Sequence, residues 1–391
     1  MERTFSKNVT LASKGLALIF LYCHHLFYMI DRSFVVKIGE KTFKLFSFSK
    51  YEKFLYMCLS EIGYVCLFIF LFLSTYGLTI SLRKWKEKQK SFFFFILDRY
   101  VALISGLIFV FILATVSGVF FGNDLITKYG IVKGIVFIPI NAFGMSAFFK
   151  TPTLNGTWWY FSLATTAIVM LPVFDWFYEK FGAASILISF FTIIILNGIK
   201  GFPIYINFLF ICPMAVCASK NNFFEKAYNI KFFKNSIINR SFHFVILSIS
   251  IIVLVGSIIF SVIDGIPEFI KFSFLSIFIV LFVFEFLYRV PVISHILIFI
   301  GKHSANLFMI HTFFYAYYFS SFYYSFRHPV LILLVLLITT IPVSMLIQFL
   351  KKITRYNDLV QIIRKKISDY AEKKTYQQMQ IEKDSSLVLK G

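Results

Sequence analysis

Long apolar runs, each near the length of a bilayer crossing, alternate with short polar connectors along this chain. A spanning helix needs about 20 mostly apolar residues. Eleven stretches qualify: roughly 9–30, 54–80, 100–121, 131–149, 158–177, 184–199, 202–218, 242–263, 270–289, 303–325 and 329–350. The pattern predicts an all-α fold, a polytopic transmembrane helical bundle. An odd count would leave the two termini on opposite faces.

Charge placement lowers the count. The most basic segments are Arg83-Lys84-Trp85-Lys86-Glu87-Lys88-Gln89-Lys90, the 219–241 linker and the tail after Lys351. The linker carries Lys220, Lys226, Lys231, Lys234 and Arg240. Basic connectors stay in the cytoplasm, and eleven spans would separate the linker from the 83–90 loop. The 131–149 stretch holds Lys133, Pro139, Asn141 and two glycines. It reads as an outer-face or re-entrant segment packed against protein. About ten spanning helices remain, with both termini cytoplasmic. The outer loop 31–53 runs against the rule, with one arginine and five lysines against three acids. Residues 1–350 form one membrane domain, and 351–391 a mixed-charge cytoplasmic tail. Within the tail, Leu350–Ile363 has some helical periodicity, so an interfacial helix on anionic lipid and a solvated, partly disordered tail both stand.

Composition points the same way. Apolar residues make up 59% of the 391 and charged residues 15%, with 54 phenylalanines. Soluble domains carry about 25% charged residues. The net charge of +20 does not imply nucleic acid, because the basic residues lie in short runs between apolar stretches, where they fix topology and face lipid headgroups. Cys23, Cys58, Cys66, Cys212 and Cys217 lie in apolar stretches without a CxxC pair, which argues against a disulfide framework and against zinc. The first apolar run lacks a small-residue cleavage pattern and reads as a retained helix.

Ionisable groups at membrane depth are costly and mark candidate sites. His25 follows Lys14 by eleven residues, three helical turns and about 16 Å of rise, so the two share a face. Adjacent residues diverge by about 100°, which turns His24 elsewhere. Imidazole suits a general base for a weakly acidic hydroxyl, and equally suits a hydrogen bond between helices. Glu61 reads either as a partner for a histidine or lysine, or as a wet interfacial acid. Ser74, with Gly63 and Gly77, permits close helix approach. Arg99 follows Asp98 at the start of the third helix, where it either grips phosphate or reaches lipid headgroups. His303, Ser304 and His311 open a late helix, with Ser304 and His311 nearly aligned, and suggest a polar packing seam or a substrate channel. No HExxH pattern is present, and no metal is expected.

Taken in order, four patches resemble the bacterial membrane-bound acyltransferase type 3 family, in particular its sugar and polysaccharide O-acetyltransferases. They are Lys14-Gly15 leading to His25; Phe70-Leu71-Phe72-Leu73-Ser74-Thr75-Tyr76-Gly77; Trp158-Trp159-Tyr160-Phe161-Ser162 with Pro172; and Gly301-Lys302-His303-Ser304 through Phe308 to His311. The resemblance covers about residues 6–350. The chain departs from it where Lys14 and Leu11 stand for an arginine and an aspartate, where Thr75 stands for a glycine, and where Arg99 alone stands for paired arginines.

The resemblance implies acetyl-CoA as the cytoplasmic acyl donor and a glycan hydroxyl as the acceptor, on a cell-surface polysaccharide or its lipid-linked precursor. It implies His25 as the catalytic base, or as an aid to moving the acyl group across the membrane site. Lys14 and Arg99 would then bind coenzyme A phosphates, and Trp158, Trp159 and Tyr160 would stack on sugar at the outer interface. It also implies a multi-pass protein of the bacterial inner membrane, in contact with lipid. A glycan or small-molecule exporter is the rival reading, although the halves show no internal repeat and no matched pair of broken helices. A non-catalytic scaffold has little reason to carry His25, His303 and His311.

Overall fold

A computed structural model describes residues 4–28, 35–38, 41–44, 49–121, 125–197, 199, 204–260 and 266–388. The longer helices, numbered in chain order, are α1 Lys7–Phe27, α2 Lys50–Gly63, α3 Val65–Glu87, α4 Phe92–Phe121, α5 Ile131–Ala142, α6 Trp159–Phe181 and α7 Ala184–Asn197. They continue with α8 Ile211–Lys220, α9 Phe223–Asn229, α10 Ser236–Ile259, α11 Glu268–Glu285, α12 Pro291–Thr312, α13 Pro329–Ile353 and α14 Tyr356–Val388. One short antiparallel pair, β1 Val35–Ile38 with β2 Lys41–Lys44, departs from the all-helical expectation. It lies in the 31–53 loop, much of which falls outside the described residues.

Eight helical segments among the described residues are long and apolar enough to cross a membrane. Three apolar helices are shorter: Ile131–Ala142, Ala184–Asn197 and Ile206–Lys220. Of the three, α5 is the least able to span. Its 12 residues rise about 18 Å, against about 30 Å of hydrocarbon. Gly144, with φ +65°, then turns the chain beneath Phe161.

Local signals set the helix ends. The Ser6 hydroxyl accepts from the Val9 N–H and opens α1. Ser49 and Glu52 form a reciprocal capping box at α2. Asn235 accepts from Ile237 and Ile238 at α10, and Pro291 occupies the first turn of α12. The outward faces of these helices are strongly apolar, as at Val119 and Phe120 of α4, Ile252 of α10 and Ile338 of α13. Apolar surface on this scale belongs in hydrocarbon rather than water.

The chain divides into two compact units, residues 1–74 with 181–346, and residues 75–180 with 347–391. In the first unit α1 is gripped on two sides by backbone contacts. A β-carbon on Gly15 would strike the Leu297 carbonyl, and one on Gly301 would strike the Leu11 carbonyl. These reciprocal glycines bring α1 and α12 together, as small residues do between membrane helices. Gly63 of α2 lies against the Phe20 carbonyl and the His24 N–H in the same way.

In the second unit α14 lies along α4. Tyr356 donates to the Ser105 carbonyl at 2.7 Å, and Arg364 makes a two-pronged contact with Asp98 at 2.8 and 3.0 Å. The buried Lys90 ammonium meets Ser368 and Glu372. The tail is therefore a docked helix rather than a solvated extension, and long-range ion pairs hold it. Lys86 similarly bridges to Asp175 and Glu179 of α6.

Candidate functional site

The candidate site lies in the first unit, where α1 and α12 run in the same direction. Gly15 meets Leu297, and further along both helices His25 meets His311. The two imidazoles have centroids 5.2 Å apart. His25 is half-buried, and its ring nitrogens have no hydrogen-bond partner among the described residues. His311 is wholly buried. Its Nδ1 lies 2.8 Å from the Phe308 carbonyl. A carbonyl only accepts, so Nδ1 carries the proton of the neutral ring and Nε2 keeps its lone pair. The Thr312 hydroxyl approaches that nitrogen at 3.4 Å.

The His311 ring is held on its faces. Tyr22 stacks on it at 5.2 Å and 20°, and Tyr315 at 5.9 Å and 23°. Tyr22 is anchored by a hydrogen bond between its hydroxyl and that of Thr340, 3.1 Å away on α13. Just past His311 the helix widens into a π-helical stretch, Phe313–Tyr318. Such widening is frequent at functional sites, and here it carries Tyr315 to the imidazole.

His24 is used differently. Its Nδ1 donates to the Ser60 carbonyl at 2.9 Å, and the Ser60 hydroxyl donates to the His24 carbonyl at 3.3 Å. His24 thus ties α1 to α2, as its turn away from His25 predicts. Glu61 does not fill the role of a histidine partner. It is exposed, and Ser60, one residue earlier, makes the contact.

The remaining sequence candidates separate. Lys14 lies on α1, partly exposed, with no ion pair among the described residues. Ser74 is half-buried in α3. The buried His303 ring is 2.9 Å from the Ser344 hydroxyl, and Asn306 donates to the Ser344 carbonyl at 3.3 Å. Ser304 donates to the Gly301 carbonyl of its own helix. His303 and Asn306 thus make a polar contact with α13 at Ser344.

Arg99 belongs to the second unit. It shares Asp98 with Arg364, its Nε lying 3.2 Å from the carboxylate, and its guanidinium lies over Phe95. Trp158 is 2% exposed and packs against Phe111. It is a core residue rather than a free stacking platform, because Asn155 and Thr157 fold the preceding turn inward. Trp159 and Tyr160 are half-buried.

Sequence reasoning passed over a buried polar cluster. Glu285 of α11 is 1% exposed. It accepts from Arg240 at 3.0 Å and faces His243 Nδ1 at 3.1 Å, while His243 Nε2 meets the Ile230 carbonyl at 3.0 Å. The signal was present, since Glu285 is a lone acid at the end of an apolar run. This cluster ties α10 and α11 to the preceding linker. Among the described residues, no group of three or more histidine, cysteine, aspartate or glutamate side chains is arranged to hold a metal ion. All five cysteines are free thiols.

Comparison with protein-family models, with curated proteins and with solved structures gave no match to this chain.

Proposed function

We propose that this protein is a membrane-embedded O-acyltransferase, which moves an acetyl group from cytoplasmic acetyl-CoA to a hydroxyl of a surface polysaccharide or its lipid-linked precursor. The observation that carries the reading is the His25 imidazole, partly accessible and without a hydrogen-bond partner among the described residues, set against the fixed His311 ring. A base must offer a lone pair within reach of the proton that it takes. The His24 Nδ1 is not available for this role, because it donates to the Ser60 carbonyl. The family resemblance of the patches around Lys14, Ser74, Trp158 and Gly301 supports the same reading.

In this mechanism His25 removes the proton from the acceptor hydroxyl as its oxygen bonds to the acetyl carbon. The thioester C–S bond breaks, the coenzyme A thiolate leaves, and the proton on His25 returns to that sulfur. The products are the acetyl ester and free coenzyme A. Lys14, on α1 with His25, supplies positive charge for coenzyme A phosphates. The protein makes ten crossings of the bacterial inner membrane, with both termini in the cytoplasm. Eight are the long helices. The other two are α7 and the run formed by the 3₁₀ segment Ile204–Phe210 with α8. That run measures about 29 Å, at about 2.0 Å per 3₁₀ residue and 1.5 Å per α-helical residue.

The test is transfer of labelled acetyl from acetyl-CoA to glycan in membrane vesicles holding equal amounts of wild type and His25→Ala. General-base catalysis contributes about 10²–10⁴-fold, so the variant is expected to lose at least about a hundredfold. Undiminished transfer would remove His25 from the mechanism.

A further inference from the structure

A cavity of about 430 Å³ in the first unit has no part in the proton transfer above. Its size falls within the roughly 300–1,000 Å³ of small-molecule sites. The wall is aromatic. Tyr64 stands at the junction of α2 and α3, Phe68 lies in the first turn of α3, and Phe272 faces them from α11. Phe68 and Phe272 stack at 5.6 Å, and Tyr64 meets Phe272 edge-on at 5.1 Å. The polar part is made by Asn197, Asn207 and Glu268. The Asn197 amide donates to Asn207 Oδ1. Among the described residues, the Asn207 amide N–H groups and Glu268 have no other hydrogen-bond or ion-pair partner.

Two features of the backbone shape this site. Asn207 lies in a seven-residue 3₁₀ run, longer than the usual three or four residues. Glu268 lies in the first turn of α11, where the helix dipole favours a carboxylate.

We infer that this cavity binds one pyranose unit of the glycan acceptor, with its C–H face on the aromatic wall and its hydroxyls on Asn207 and Glu268. A lipid chain would leave the amides and the carboxylate without partners, which is costly. An anionic headgroup would meet Glu268 as a like charge. A sugar satisfies both halves, because its C–H face is apolar and each hydroxyl both donates and accepts. The inference rests on the acyltransferase reading for its link to chemistry. The Tyr64 ring lies 5.2 Å from the His24 ring, and His24 adjoins His25. In the ten-span topology α7, the 3₁₀ run and α11 all bring their outer ends to the cavity.

The test uses the full chain in nanodiscs, without any acyl donor. The probe is oligosaccharide released from the surface polysaccharide of the native host cells, and its binding is followed by saturation-transfer NMR. Glu268→Gln and Asn207→Ala are each expected to weaken binding about tenfold. Both residues lie at the accessible part of the cavity, and thermal unfolding checks that the variants fold. The exposed tail variant Asp369→Asn is expected to bind as wild type does. Unchanged affinity in both cavity variants overturns the inference. Glu268-dependent binding in a protein that transfers no acyl group keeps this site and removes the acyltransferase reading. Acyl transfer whose acceptor KM is untouched by either variant keeps the enzyme and removes the site.

Discussion

At the scale of single residues, His24 and His25 are neighbours with opposite duties. His24 has its Nδ1 committed to Ser60, whereas the His25 ring nitrogens have no hydrogen-bond partner among the described residues. His24→Ala would remove one of the two donors to the Ser60 carbonyl, which keeps the Tyr64 N–H, a loss of about 0.5–1.5 kcal/mol. It should therefore lower thermal stability and leave acyl transfer per folded molecule nearly unchanged. Removal of the Tyr22 hydroxyl is of similar size. Tyr22→Phe deletes the bond to Thr340 and is expected to cost about 1 kcal/mol in a denaturation midpoint, with the His311 stacking intact. The division between His24 and His25 was legible in the sequence, because neighbours on a helix diverge by about 100°. The partner was not, because helical phase says which way a ring points and not what stands there. Glu61 was therefore a fair candidate, and Ser60 made the contact.

At the scale of elements, the glycines of α1 and α12 decide whether the histidines meet. Gly15→Ala or Gly301→Ala would force the helices apart at a backbone carbonyl. Overpacking of this kind costs about 1–3 kcal/mol, read as a lowered unfolding temperature in detergent. A β-carbon on Gly77 would meet nothing within 4 Å, so Gly77→Ala should be neutral or stabilising by up to about 1 kcal/mol. Equal effects at all three positions would contradict the account. The tail helix gives a second prediction, in pH. The Lys90 ammonium hydrogen bonds to Glu372 and holds its carboxyl below the ordinary value of 4.5. A carboxyl with a lowered folded-state pKa stabilises above its unfolded value, and the gain is lost as pH falls through the folded value. Limited proteolysis of α14 should therefore accelerate below about pH 4.5, and Glu372→Gln should weaken that dependence, with the Arg364–Asp98 pair still in place. The docking of α14 was not legible in the sequence. Arg364 and Asp98 are 266 residues apart, and no local pattern joins them.

At the scale of the whole molecule, apolar periodicity carried the helical membrane fold, and charge placement singled out the segment around α5, one of three shorter apolar helices among the described residues. The ten-span topology predicts accessibility. In a variant without native cysteines, Ser325→Cys should react with an impermeant thiol reagent on intact cells. Lys88→Cys and Lys234→Cys should react only after permeabilisation. Labelling of Lys234→Cys from outside would contradict the topology and, with it, the side from which the donor arrives. The claim that joins these scales is that two parallel helices, locked by reciprocal glycines, hold an accessible histidine for acyl transfer to a glycan. Its most direct test is mass spectrometry of surface glycan from cells lacking the gene, complemented with either wild type or His25→Ala at matched membrane abundance. The account predicts an acetyl mass increment with wild type that is missing from the deletion and from His25→Ala. An increment that persists with His25→Ala, or in the deletion itself, would contradict it.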